Sequence, residues 1–262
     1  DSKNLYKEAE SLLLKELDLV DFTPKNENIA IKSFKDSFMQ TGRLDSEYYQ
    51  AKYDELIDHI KKANFDKLDN IVNIKKSIEP GSEAYQDSGI PFIRVSNVTK
   101  FGISDTDIYL SRNILKEEEL QKLYPTKDTI LLSKDGTVGI AYKIKNETEM
   151  ITSGALLHLS IKKDDVLPEY LTLVLNSLIV QLQAQRDAGG SIIQHWKPSE
   201  IQEILIPIID ISVQNQIEER IKKSFLLKEE SKQLLDLAKK AVEIAIEKDE
   251  NEAMKFMEEK IK

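Results

Sequence analysis

Leu5, Ala9, Leu12, Leu13 and Leu17 recur at helical spacing, so the chain opens on an amphipathic helix. That helix is already under way at Asp1, with no initiator Met, which leaves a longer polypeptide open. Thr23-Pro24 breaks it within residues 21–28, and the apolar run Ile29 to Phe34 predicts a short strand. Leu44, Tyr48, Tyr49, Tyr53, Leu56, Ile57 and Ile60 then form an apolar stripe, predicting a second helix over Asp45 to Lys61 in which the tyrosines are packing residues.

From Phe65 to Ile209 the pattern shifts to short β-rich runs separated by turns, as in a mixed sheet domain. Ile90 to Val98, Thr129 to Leu132, Val138 to Ile144 and Ala155 to Ile161 are the predicted strands. Pro168 to Arg186 interrupts them as one helix, with Leu171, Val174, Leu175, Leu178, Ile179 and Leu182 facing inward, and Ala188-Gly189-Gly190 ends it. Residues 198–203 read as one helical turn before the apolar run Ile204 to Ile209. Beyond Gln214 a single long helix is expected. Ile217, Ile221, Ser224, Leu227, Ser231, Leu234, Ala238, Ala241 and Ala245 are spaced by fours and threes or nearly so, and form a packing seam. Its small residues permit close approach of another helix, and the N-terminal helix of the same chain is the obvious candidate. The expected fold class is α+β: one mixed α/β domain flanked by long helices that pack as an antiparallel coiled coil.

Composition narrows the function more by exclusion than by assignment. The 262 residues include no Cys, which removes disulfides, thiolate metal sites and Cys nucleophiles. No apolar run reaches the ~20 residues a spanning helix needs and the N-terminus has no signal pattern, so a cytoplasmic chain without a membrane partner is expected. The formal net charge of −9 is the wrong sign for coating nucleic acid by bulk electrostatics. Divided after residues 64, 160 and 210, every segment is acidic, so no basic domain is hidden in the total. Neither G-x-G-x-x-G nor G-x-x-x-x-G-K-[ST] occurs, and no G-x-S-x-G. His59, His158 and His195 are scattered and form no H-E-x-x-H pair, while Asp164-Asp165 reads as a solvated turn before Pro168. The expectation is a chain that is not an enzyme, with no metal and no cofactor.

Three segments in order then carry a likeness. They are Gly89-Ile90-Pro91-Phe92-Ile93-Arg94-Val95-Ser96-Asn97-Val98, then Leu132-Ser133-Lys134-Asp135-Gly136-Thr137-Val138-Gly139, then Ile206-Pro207 followed by Gln214 and Ile217. Together they resemble the DNA specificity subunit of type I restriction-modification systems. The stretch Gly42-Arg43-Leu44-Asp45-Ser46-Glu47-Tyr48-Tyr49-Gln50-Ala51-Lys52-Tyr53 also resembles the segment leading into a second target-recognition domain in such subunits and in related fused restriction enzymes. A full subunit of that family has two such domains separated by two long helices, each domain reading one half of a split DNA site. The resemblance therefore implies a half-subunit: 1–20 the end of a spacer helix, 21–64 a linker with a short strand and helix, 65–210 one target-recognition domain, and 211–262 the distal long helix. It implies double-stranded DNA, adenine methyltransferase subunits and restriction subunits as partners. S-adenosylmethionine belongs to the methyltransferase, and no Asn-Pro-Pro-Phe-like or Asp-Pro-Pro-Tyr-like motif occurs here.

Candidate contacts follow from side-chain chemistry. Asp135-Gly136 fits the tight turn of a two-strand hairpin over Ser133 to Gly139, a reading that needs no DNA. The same turn would carry Lys134 toward phosphate and present Asp135 and Thr137 to base edges. Arg94, Ser96 and Asn97 close an apolar strand, where Arg suits guanine and Asn adenine, although strand-end polar residues are also simply solvated. Strand alternation would set Arg94 and Ser96 opposite Ile93 and Val95. The loop Gly189 to Lys197 offers Ser191, Gln194, His195 and Lys197 as contacts and Trp196 as a core cap; His195 equally suits a structural role. Ile217, Ile221, Leu227, Leu234 and Ala238 are the candidate partner-binding positions, through which two halves could also pair as a homodimer. The leading expectation is a recognition subunit reading half of a bipartite target and scaffolding the methyltransferase and restriction subunits. The alternatives are a protein-binding adaptor with no DNA role and the C-terminal recognition part of a fused methyltransferase-nuclease.

Overall fold

In the computed structural model, which describes residues 2–24, 27, 29–189 and 192–260, helix α1 (Ser2–Glu16) buries Tyr6, Ala9 and Leu13. A helical turn, α2 (Phe38–Thr41), and α3 (Ala51–Ile60) follow. The strand expected over Ile29 to Phe34 is absent from these residues, and Ile29, Ile31 and Phe34 stay exposed. β-propensity expresses a half-buried pleated surface, and no face is buried here. The second helix is shorter than Asp45 to Lys61. Gln50 is extended (φ −64, ψ 139), and Asp45 is held by the Arg43 guanidinium at 2.9 and 2.7 Å.

The β-rich region runs β1 (Phe65–Lys67), α4 (Leu68–Ile71), β2 (Val72–Lys76), β3 (Tyr85–Gln86), β4 (Ile90–Ile93), β5 (Val98–Thr99), β6 (Gly102–Ile103) and β7 (Tyr109–Leu110). It continues through α5 (Glu117–Leu123), β8 (Ile130–Ser133), β9 (Asp135–Gly136), β10 (Ala141–Lys143), β11 (Ile151–Thr152) and β12 (Leu156–Ile161). Then come α6 (Pro168–Asn176), α7 (Leu178–Asp187), β13 (Gln194–His195), α8 (Pro198–Gln202) and β14 (Leu205–Pro207). The antiparallel sheet β10-β8-β12-β2 has Leu157 opposite both Leu132 and Lys76. Its central strands are mostly apolar without alternation because both faces are covered: Ile130, Leu131, Leu132, Leu156, Leu157 and Leu159 are all buried. A second sheet, β11-β4-β7-β3, sets β11 parallel to β4 and buries Ile90, Phe92, Leu110 and Ile151 with Leu120 of α5. Strand β1 pairs with β14, Phe65 opposite Pro207, which closes the two ends of the region on each other.

Three expected elements break where a polar side chain takes over a backbone partner. Ile90 to Val98 is not one strand: β4 stops at Ile93 and a 3-10 turn covers Val95–Asn97, its Arg94 N–H donating to Asn97 Oδ1 at 3.0 Å. The helix expected over Pro168 to Arg186 divides at Ser177, which is extended (ψ 167) and donates its hydroxyl to Val174 O. Just before the break, the Asn176 amide accepts from Ala141 N–H at 3.1 Å and donates to Ala141 O at 2.8 Å, acting as a strand neighbour for β10. β10 itself is shorter than Val138 to Ile144, because residues 137–140 turn back with the Ser133 hydroxyl accepting from Ile140 N–H.

The long C-terminal helix is two helices, α9 (Ile211–Glu247) and α10 (Glu250–Lys260). Asp249 ends the first and caps the second, its carboxylate accepting from Glu252 N–H at 3.0 Å. The chain divides into two compact units, Glu10–Ile217 and the remainder before and after it. In the helical unit, the Ser224 hydroxyl donates to Ser2 O at 2.7 Å, so α1 and α9 approach through small residues. α10 turns back along α9, bringing Phe256 to 5.8 Å from Lys240 Nζ and burying Ala253. The class is therefore α+β, with a mixed α/β domain and long helices packed antiparallel. Of the seam, Ile217, Ile221 and Ser224 are buried, Leu227 is half-buried, and Leu234 and Ala238 are exposed.

Candidate nucleic-acid interface

Ser133 organises the first loop. Fully buried at the end of β8, its hydroxyl donates to Thr137 O at 2.6 Å and accepts from Ile140 N–H at 2.9 Å, while its carbonyl accepts from Gly139 N–H at 2.9 Å. Gly139 lies at φ 81, where a Cβ would stand 2.7 Å from Gln181 Nε2, the atom that donates to Gly139 O. The expected two-residue hairpin turn at Asp135-Gly136 does not form. β8 pairs with β10 across the longer loop, and Asp135-Gly136 becomes β9, free to pair elsewhere.

It pairs with β13: Gln194 stands opposite Gly136 and His195 opposite Asp135. Gly189 and His195 exchange both backbone bonds, at 3.1 and 2.7 Å, and close the base of the second loop. Trp196 N–H donates to Lys134 O at 2.7 Å, and the Trp196 ring is buried beneath, its indole Nε1 without a hydrogen-bond partner among the described residues. The result is a small ledge in which Asp135, Gly136, Gln194 and His195 are adjacent. Gly136, Thr137, Gln194, His195 and Lys197 are exposed. Lys134 does not project: its side chain is only 12% exposed and its ammonium is paired with Asp135. The Asp135 carboxylate also meets His195 Nδ1 at 2.8 Å. Burial alone would raise the Asp135 carboxyl, but the bonds from Lys134 and His195 outweigh it and hold it below the ordinary carboxylate range.

Arg94, Ser96 and Asn97 occupy a separate 3-10 turn, so strand alternation does not set their directions. Asn97 is engaged within it, donating to Asp105 O at 3.1 Å while its oxygen caps Arg94 N–H. Ser96 is exposed, and Arg94 is half-buried with Nε unpartnered among the described residues. Ser191 lies outside the described residues.

Sequence reasoning missed Ser133, Asn176 and Gln181, which bond backbone across the fold rather than any ligand, and it took Tyr48 for a helix packing residue. Arg43 was visible only as part of a family likeness. It lies beside the ledge, where Arg43, Asp187, Gly189, His195, Lys197 and Glu200 line a shallow cavity of about 280 Å³. Among the described residues no His, Asp and Glu side chains group to hold a metal, and no helix is long and apolar enough to cross a membrane.

The β-rich domain and its flanking helices define a class, and the family match names it. Residues 47–237 match the type I restriction modification DNA specificity domain, and the chain belongs to that family. Among solved structures it is similar to the S subunit of a type I restriction-modification system from M. genitalium, at 16% identity over 71% of this chain and 45% of that one, with a TM-score of 0.49. It is also similar to the HsdS subunit from Thermoanaerobacter tengcongensis, at 13% identity over 88% and 47%, TM-score 0.48. The type IIG restriction endonuclease BpuSI matches at 15% identity over 64% and 27%, TM-score 0.45. The chain thus spans about half the length of the specificity subunits it matches. No curated protein sequence matches it.

Proposed function

We propose that the chain is a non-catalytic sequence-recognition subunit of a type I restriction-modification system, reading one half of a bipartite DNA target. The observation that carries this is the β9–β13 pairing, which gathers Asp135, Gly136, Gln194 and His195 on an exposed ledge within the family-matched region. Exposed Gln194 and His195 offer the donors and acceptors that major-groove base edges require, and Lys197 beside them suits a phosphate. Ser96 and Arg94 on the separate 3-10 turn, with Thr137, are further contacts in this reading.

The net charge of −9 means that DNA affinity must be completed by a basic partner. The helices supply the docking surface: Leu227, Leu234 and Ala238 for adenine methyltransferase and restriction subunits, continuing from the buried Ile217 and Ile221. Two such halves pairing through the same surface would rebuild a two-domain reader. Co-expression with the cognate methyltransferase, followed by mapping of methylated adenines across the genome, tests the reading, and a bipartite motif is the expected result. The acidic charge favours a second reading, a protein adaptor without a DNA role. An unmethylated genome with the two proteins still co-purifying would select it.

A further inference from the structure

We infer that Arg43 and Tyr48 are positioning residues for the loop that carries Gln194 and His195, so that the segment ahead of the β-rich region tunes the sequence preference of the ledge. The inference rests on the DNA reading above. Asp187 ends α7, and the loop closes two residues later at the Gly189–His195 backbone pair. The direction of the chain at Asp187 therefore decides where the ledge stands. An acidic residue is unfavourable at a helix C-terminus, so Asp187 does not serve its own helix. Its buried carboxylate instead binds Arg186 Nε at 2.7 Å.

Arg43 comes from far away in sequence and donates Nη1 to the Asp187 carbonyl at 3.0 Å, taking up one of the acceptors that a helix end leaves open. Its Nε and Nη2 fork around Asp45 at 2.9 and 2.7 Å, so one planar guanidinium ties two segments together, which a lysine ammonium cannot reproduce. The Tyr48 ring lies 4.4 Å from Arg43 and 5.3 Å from Arg186, shared by both cations. Tyr49 fixes the clamp from behind, donating its hydroxyl to Arg43 O at 3.0 Å, and Gly42 at φ 68 provides the turn that aims it. The cavity that Arg43 lines is also lined by His195 and Lys197. The clamp and the ledge thus share one depression, through which a displacement of Arg43 reaches the loop.

The test is selection of the full chain, with its cognate methyltransferase present, against random-sequence duplex DNA, together with hydrogen exchange of the free protein. The wild type, Arg43→Ala, Arg43→Lys, Tyr48→Leu and Tyr48→Phe are compared, and Gln194→Ala marks the base positions the loop reads. For Arg43→Ala and Tyr48→Leu the expected result is about tenfold weaker binding to the selected duplex and loss of preference at the loop-read positions, with binding to unselected duplex unchanged. The amides of Gly189 and His195 should exchange about tenfold faster while β8 and β12 keep their protection. Arg43→Lys should resemble Arg43→Ala, and Tyr48→Phe, which keeps the ring, should resemble the wild type. Folded variants that recover the wild-type motif and exchange pattern would overturn the inference. If Arg43→Ala does not fold, Tyr48→Leu decides, since it leaves every Arg43 hydrogen bond in place. A wild-type complex with methyltransferase that enriches no sequence overturns the DNA reading instead, and the exchange at Gly189 and His195 then decides the clamp by itself.

Discussion

The central sheet and the distal part of α9 draw on the same residue types and treat them in opposite ways. In the sheet, Ile130, Leu131, Leu132, Leu156 and Leu159 are all 0% exposed. In α9, Leu226, Leu234, Leu235, Val242 and Ile246 are 50 to 80% exposed. The central strands have buried these residues in their own core, whereas the helix carries apolar surface that folding has left uncovered. Burial of a leucine stabilises by roughly 1.5–3 kcal/mol, so in the sheet the gain is internal and in the helix it remains available to a partner.

The sharpest way to break this contrast is the same substitution in both places. Leu131→Ala should cost about 2–5 kcal/mol of stability and lower the melting temperature, whereas Leu234→Ala should change it by less than about 0.5 kcal/mol. Thermal denaturation followed by circular dichroism measures both, and equal losses would show that α9 is packed like the sheet.

Acid should separate the regions by a somewhat smaller amount. His158, buried in β12 with its Nε2 2.8 Å from Thr152 Oγ1, is held neutral: burial first and nearby Lys75 second push it down to about 4. The unfolded chain binds this proton below about pH 6.5 and the folded one does not, so the stabilisation is present above that pH. It is lost as the pH falls from about 6.5 toward 4, up to about 3 kcal/mol in all. The helical unit contains no histidine and has no such slope. Fluorescence of Trp196, the single tryptophan, reports the β-rich region alone, and a His158→Gln variant should flatten its pH dependence.

A third comparison addresses the partner surface. Leu227→Asp combined with Leu234→Asp should weaken methyltransferase binding by at least about tenfold, as expected when interface anchors are removed, with no change in the pH profile of Trp196. Titration calorimetry against the methyltransferase measures it. Undiminished affinity would move the docking site off α9.

What the sequence disclosed divides along the same line. Helical periodicity located α1 and the start of α9, and apolar runs without alternation located β8 and β12, whose positions are buried on both faces. Both signals failed where a side chain replaces a backbone partner. Asn176 in place of a strand neighbour, Ser177 at a helix break, Asn97 capping a 3-10 turn and Asp249 dividing the last helix leave no periodic trace. At the candidate site, Asp135, Gln194 and His195 could be named from chemistry, but their adjacency depends on β9 leaving β8 to pair with β13, a contact some sixty residues apart in sequence. The same long-range pairing turned Lys134 inward onto Asp135, the reverse of the projection its place in a hairpin suggested.

The smallest effect separates two neighbours on the ledge. Lys197, with a side chain 74% exposed, carries charge but no hydrogen-bonding pattern that distinguishes one base from another. Gln194 carries both a donor and an acceptor and sits in the β13 pairing with Gly136. Removal of one phosphate contact lowers affinity for every sequence alike and reduces the slope of log affinity against log salt by about one. Lys197→Ala should therefore bind all duplexes slightly more weakly, with the enriched motif unchanged. Gln194→Ala should leave the salt slope as it was and relax the motif at a single base pair, worth about 1–3 kcal/mol of discrimination. Binding of both variants to a selected duplex and to its single-base variants, across a salt series, distinguishes the two roles. Exchange of these outcomes would mean that the ledge meets the DNA backbone through β13 and reads its bases elsewhere, with Ser96 and Arg94 on the 3-10 turn the next residues to substitute.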